Sequence, residues 1–172
     1  MSQALAEKLQ AEFEGSVTDV SSREVARSTP STQVTVRVER ERIVDVLTFA
    51  RDELGLKFLS DISAIDYLQM SGAERFTVIY VLRNIADGGE LILKAAVPEE
   101  PAEIDSACSV YKGANWLERE VYDMFGITFL SHPNMTRILT PDEFDGHPLR
   151  KDYPVQGRGF RDRFPVISRD AS

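Results

Sequence analysis

Between residues 57 and 97 the chain carries three strand-like runs, 57–69, 75–85 and 90–97. In the second run, Phe76, Val78, Tyr80 and Leu82 alternate on one face, while Ile79 and Val81 lie on the other. Alternation with a period of two marks pleated strand, and a run apolar on both faces suits a central strand covered on both sides. Asp87-Gly88-Gly89 has the composition of a hairpin turn between the second and third runs. Pro98 and Pro101 then end the sheet. Strands this close together pair antiparallel, which commits the chain to a sheet with helices packed around it.

The flanking segments fit that plan. Leu5, Leu9 and Phe13 recur every four residues and predict a helix over 3–14, stopped at Gly15. Val17–Val20 reads as a short strand, 21–32 as a loop or hairpin connection, and the alternating Val34, Val36 and Val38 as a half-buried strand. Ile43, Leu47, Ala50 and Leu54 place one apolar face on a helix over 40–54, with Gly55 as its stop. Residues 102–111 and 114–125 read as two further helices joined at Gly113. The order predicts an α+β fold, a mostly antiparallel sheet with helices packed on it, over 1–126. An extended docking loop and C-terminal tail over 127–172 follow.

With 172 residues, 42% of them hydrophobic, the chain can bury one sizeable core. No apolar run approaches the roughly 18–20 residues of a membrane span, and the start has neither a secretion-signal nor a transit-peptide plan, so a cytosolic protein is expected. Cys108 is the only cysteine. An iron–sulfur cluster takes about four thiolates, so this chain alone holds none, and a multi-cysteine zinc site is excluded too. Residues 146–172 hold six Lys+Arg and three Asp+Glu, so 1–145 hold the other 14 and 25. An acidic body with a basic tail disfavours nucleic acid as partner. It fits a tail lying on an acidic protein surface; a solvated acidic face with a frayed tail accounts for the same balance.

On a wheel of 114–125, Leu117, Val121 and Met124 form an apolar stripe extended by Tyr122 and Phe125. Arg119, Glu120 and Asp123 fall near the opposite side with Trp116. Glu118 sits at the edge of the stripe, where a carboxylate is costly to bury unpaired. Arg137 and Arg150 are its candidate partners, and Glu118 is expected to anchor the following loop; an exposed, solvated Glu is the alternative.

Beyond that helix the chain is rich in Pro, Gly and charge, without helical or strand period. His132 and His147 stand near Asp142, Glu143, Asp145 and Asp152, which raises a stand-alone metal-dependent enzyme as one reading. Each His precedes Pro, though, a rigid extended dipeptide, and no metal-ligand spacing is present. Cys108 lies between Ala107 and Ser109 as a small core residue would. The stretch 141–154 reads better as a clamp. Pro141, Pro148 and Pro154 stiffen it before binding; Arg150, Lys151 and Asp152 offer charged hydrogen bonds, and Leu149 and Tyr153 apolar anchors. Residues 155–172 intersperse Phe160, Phe164, Val166 and Ile167 with arginines and are expected to drape over another protein.

Several of these residues resemble a known family. Glu118-Arg119-Glu120, Asp123-Met124-Phe125-Gly126, His132-Pro133, Arg137-Ile138-Leu139 and Gly146-His147-Pro148-Leu149-Arg150-Lys151-Asp152-Tyr153-Pro154 are similar, in order and spacing, to the 30-kDa subunit of respiratory complex I, the C subunit of bacterial NADH:quinone oxidoreductase. Ser131 stands where the family usually has Gly, and Thr136 where a basic residue is common. The resemblance implies a core subunit of the peripheral arm with no cofactor or catalytic residue of its own. In the holo-complex FMN, Fe-S clusters and quinone carry electrons from NADH, coupled to proton pumping. It implies a hetero-oligomer packed on the 49-kDa (D) subunit and its neighbours, peripheral on the cytoplasmic side of the bacterial inner membrane. Glu118, Arg119, Asp123, His132, Arg137 and His147-Pro148-Leu149-Arg150-Lys151-Asp152-Tyr153 are the expected partner-binding residues. The equivalent subunit of a related membrane-bound hydrogenase or other-donor dehydrogenase shares the motif.

Overall fold

A computed structural model describes residues 2–25, 31–70, 74–86 and 88–158. The chain runs through α1 (Ser2–Glu12), β1 (Val17–Val25), β2 (Ser31–Val38), α2 (Ile43–Asp52), β3 (Phe58–Asp66), β4 (Phe76–Arg83), β5 (Glu90–Val97), β6 (Glu103–Asp105), α3 (Ala114–Phe125) and β7 (Thr128–Leu130). Five strands form one sheet in the order β1-β2-β5-β4-β3. Three of its four pairings are antiparallel, and β2 with β5 is parallel. This is the α+β arrangement the periodicity implies. β4 and β5 form the expected hairpin, closed by Asn84 N–H on Gly89 O and Gly88 N–H on Asn84 O; Asp87 lies outside the described residues. Of the segment read as a loop or hairpin connection over 21–32, residues 21–25 and 31–32 belong to β1 and β2, which pair antiparallel, and 26–30 lie outside the described residues.

One face of the sheet carries the core. Val34 and Val36 of β2, Phe76, Val78, Tyr80 and Leu82 of β4, and Leu91, Leu93 and Ala95 of β5 are completely buried. Leu9 of α1 and Ile43, Val46, Leu47 and Ala50 of α2 pack into the same cluster. At roughly 1.5–3 kcal/mol for each large apolar side chain, this layer supplies most of the drive to fold. The second face of β4 is only partly covered: Thr77, Ile79 and Val81 are half-buried, where the first face is fully buried. β-branched residues suit pleated strand on either face, so their presence does not report a second helical layer.

The helix expected over 102–111 does not form. Residues 103–105 are instead β6, parallel to β7, and a 3-10 turn occupies Ala107–Ser109. The reason is polar. Ser106 is extended, with its hydroxyl accepting from Cys108 N–H, and the Ala107 amide donates to the Glu118 carboxylate. These side-chain partners offer the backbone a stop that competes with a helix. Past α3 the core continues, with Ile127 and Phe129 buried.

The Tyr80 hydroxyl is buried without a hydrogen-bond partner among the described residues. Burial, then the charges of Glu118 and Asp105, hold its pKa well above the ordinary phenol range. A lone buried hydroxyl costs about 1–3 kcal/mol. Tyr80→Phe is therefore expected to raise stability by about 1 kcal/mol in urea unfolding, and a loss of stability would show that the hydroxyl has a partner.

Candidate docking site

α3 organises everything that follows it. Two of its side chains, four residues apart, hold the incoming loop from opposite polarities. Arg119 donates to the carbonyls of Thr136 and Arg137, at 3.0 and 3.1 Å. Asp123 accepts the amides of Ile138, Leu139 and Thr140 at 3.0, 2.8 and 2.8 Å, the Thr140 hydroxyl, and Arg137 Nη1 at 2.8 Å. Three successive N–H groups around one carboxylate make an anion-binding nest. Burial disfavours the charge of Asp123, but the hydroxyl and amides of this nest outweigh it and hold its pKa down at about 2. The helical wheel leaves Asp123 on the solvent side, yet it is fully buried. Residues 137–140 fold over that side, a contact no helical period encodes.

The end of α3 is capped by residues more than twenty positions later. His147 Nδ1–H donates to Asp123 O at 2.9 Å, Leu149 N–H to Met124 O at 3.0 Å, and Arg150 to the carbonyls of Phe125 and Gly126. These are the carbonyls a helix leaves without internal partners, and a cation there also meets the negative end of the helix dipole. Burial, then the neighbouring Arg150 and Arg137, lower the His147 pKa, so the ring is a neutral donor. Gly126 makes room: its φ is 72°, and a Cβ would lie 2.5 Å from His147 Nε2 and 2.6 Å from Arg150 Nη2.

The clamp is riveted to the sheet at a second point. Arg75, the residue before β4, is buried and binds Asp66 of β3 at 3.3 Å, Glu99, and Asp152 at 2.8 Å. Asp66 also accepts Lys151 N–H at 2.9 Å. Burial opposes its charge, but Lys151 N–H, Arg75 and Leu68 N–H keep its pKa low. The guanidinium groups of both Arg75 and Arg150 lie over the Phe76 ring, where cation–π attraction adds to the packing. Further out, Tyr153 stacks on Phe144 and carries Arg158 over its ring.

Glu118 does not meet an arginine. Arg137 is held by Asp123 and Arg150 by the end of α3. Glu118 is completely buried and accepts from Ser106 Oγ and Ala107 N–H, each at 2.6 Å, with Cys108 Sγ at 3.5 Å. Burial raises its pKa despite these donors. The carboxylate fixes the 3-10 turn to α3, and, like Asp123 and the buried ring of His132, offers no surface to a partner.

Cys108, Glu118 and His132 bring possible metal-ligand atoms within 4.8 Å of one another. Their hydrogen bonds do not suit an ion. His132 Nδ1 accepts from Asn134 N–H, so the ring proton sits on Nε2, directed at Asn115 O 3.1 Å away. A metal on Nε2 needs that nitrogen bare and a proton on Nδ1, where the amide already points. Burial, then the Glu118 charge, push the Cys108 thiol up in pKa, away from the thiolate a metal or a nucleophile requires. Nor do the two histidines share a site: His132 binds α3 at Asn115 and His147 at Asp123, about two turns apart.

Residues 36–159 match the family described as respiratory-chain NADH dehydrogenase, 30 Kd subunit. The chain belongs to this family. The NADH-quinone oxidoreductase C subunit of Geobacter sulfurreducens is 45% identical over 150 residues, 87% of this chain and 88% of that one. A C/D polypeptide of NADH-quinone oxidoreductase from Chromohalobacter salexigens is 42% identical over 142 residues, 79% of this chain and 24% of that longer one. A trypsin-resistant fragment of Nqo5 shares the fold at a TM-score of 0.61 and 29% identity, covering 77% of this chain and 97% of that chain. Of the motif residues, Arg119, Asp123, Gly126, Arg137 and 147–152 close the clamp, while Glu118 and His132 hold other contacts of α3; the two departures make physical sense. Thr136 contributes backbone groups, with its N–H on Asn134 O and its carbonyl to Arg119, so its side chain is free to vary. Ser131 has a φ of 62°, the left-handed region where glycine rests without strain.

Sequence reasoning missed Asp66, Arg75, Glu99 and Ser106. The available signal was opposite charge near the junction of the first two strand-like runs: Asp66, which pairs with Phe76, and Arg75, one residue before it.

Gly126→Ala is expected to lower stability by at least about 2 kcal/mol, because the left-handed backbone and the His147 contact both oppose a methyl group; calorimetry decides it, and an unchanged Tm contradicts the packing. Asp123 binds its proton more weakly folded (about 2) than its ordinary 3.8, so its stabilisation is present above about pH 4 and is lost as pH falls through 2. That is worth about 2 kcal/mol. Asp123→Asn should flatten urea stability between pH 4 and 2 relative to the parent; parallel curves would refute it.

Proposed function

We propose that this chain is a non-catalytic scaffold subunit of the peripheral arm of a proton-pumping NADH:quinone oxidoreductase, and that the outer surface of the clamp docks on the D subunit. One observation carries the reading: the groups that close the clamp, His147, Arg150, the Lys151 amide and Asp152, are paired within the chain, while Leu149 of the clamp and Leu139 and Val155 at its borders face out. Leu139 is 61% exposed, Leu149 55% and Val155 fully. A loop tied down by two anchor points and still presenting apolar groups is pre-organised for a partner, since its ordering cost is met on folding. Fusion of C with D in one relative supports D as the neighbour. Arg119, Pro148, Leu149, Lys151, Asp152 and Tyr153 stay at or near the surface and are the residues proposed for contact.

On this reading the chain binds no cofactor. FMN, Fe-S clusters and quinone belong to other subunits, and this one holds them in register for electron transfer. Among the described residues no helix is long and apolar enough to cross a membrane, so attachment to the cytoplasmic face of the inner membrane runs through the complex. Residues 159–172, proposed to lie along the partner, are outside the described part of the chain.

Leu139→Asp with Leu149→Asp should leave Tm unchanged within a few degrees. Recovery of the D subunit and NADH:quinone activity in the assembled complex should fall at least tenfold. Removing 155–172 should likewise spare folding and impair incorporation. Normal assembly in both cases would contradict the docking role.

A further inference from the structure

At the opposite end of α3 from its cap lies a groove of about 420 Å³, walled by the end of α2, the start of β3 and the residues leading into α3. Its charge runs against that of the body. Arg51, Lys57 and Lys112 line it, with Asp52 as the acidic member. Arg51 is occupied: it binds Asp52 at 2.7 Å and the Val110 carbonyl at 3.0 Å. Lys57 and Lys112 are exposed, and neither has an ion-pair partner among the described residues. Phe58, 46% exposed, supplies an apolar wall beside them. Asp52 interacts with Lys57 as well as Arg51, so three cations face one carboxylate around an apolar ledge; on a body that is otherwise strongly acidic, this forms a place where an anionic group is attracted and an apolar neighbour is sheltered.

We infer that this groove is a second docking surface, which takes an acidic segment of a partner polypeptide, with carboxylates on Lys57 and Lys112 and an apolar side chain on Phe58. The inference rests on the chain acting as an assembly subunit. The groove is wide and open rather than a closed cavity, which suits a passing chain more than a small molecule. The protein's own C-terminal residues are the wrong sign: 159–172 carry three Arg against two Asp. Because α3 is about 18 Å long, a partner held here and one held on the clamp would sit at opposite ends of that helix.

Zero-length amine–carboxylate cross-linking of the native complex, read by mass spectrometry, tests it. Links from Lys57 or Lys112 to Asp or Glu of another subunit are expected. The Lys57→Glu, Lys112→Glu double variant should keep its Tm and recover at least tenfold less of the cross-linked subunit, while Lys57→Arg with Lys112→Arg retains it. Full recovery by the charge-reversed chain, with the parent assembling normally, overturns the second surface and leaves the clamp reading intact. Binding of the parent alone to phosphatidylglycerol vesicles, abolished by charge reversal with no cross-link to protein, assigns the groove to lipid and overturns the inference. A parent chain that recovers no partner at all overturns the assembly role itself.

Discussion

The Asp123 carboxylate is the contact on which the rest of the clamp depends. It gathers three consecutive amides, a hydroxyl and a guanidinium into one buried point. Without it, residues 137–140 would bring three unpaired N–H groups against α3, each costly to bury. With it, the turn of backbone is fixed, Arg137 is placed to hold the Gly146 carbonyl, and the chain is aimed back toward the end of α3. A charge is a weak source of stability when buried alone and a strong source of geometric definition when every lone pair is used. Asp123 is of the second kind.

The Arg75 cluster plays the matching role on the sheet. Its three carboxylate neighbours come from β3, from the segment after β5, and from the clamp. One guanidinium therefore joins parts of the chain that share no regular hydrogen bonding. Between the Asp123 nest and the Arg75 cluster, the segment around 147–152 is held at both ends, which explains how a stretch with no periodic structure of its own keeps one conformation.

Much of this architecture is written in local patterns. Alternation marks β4 and its partners, the spacing of Ile43, Leu47 and Ala50 marks α2, and the motif residues mark the clamp. What is not written there is long-range. The wheel puts Asp123 in solvent because it describes one helix, and the cover comes from residues fourteen to seventeen positions away. It offers Glu118 an arginine because charge suggests one, whereas short polar groups at Ser106 and Ala107 satisfy it. The helix expected over 102–111 fails for the same cause: a carboxylate on another element takes the amide that would have continued it. Apolar period reports what is buried against the sheet; it does not report which polar groups find each other.

The capping of α3 by residues 147–150 has a consequence for how the protein is handled in a cell. The last carbonyls of a core helix find their donors in the very segment that presents Leu149 to the outside. The helix end and the backbone that carries the outward-facing side chains are therefore one cooperative unit: opening the helix end takes that surface with it. A copy whose interior is misassembled cannot display an intact outer surface, and a partner that grips that surface stabilises the interior by mass action. If the proposed partner reads this surface, its recognition would double as inspection of the fold: correctly folded copies would be the ones bound, and bound copies would be harder to unfold.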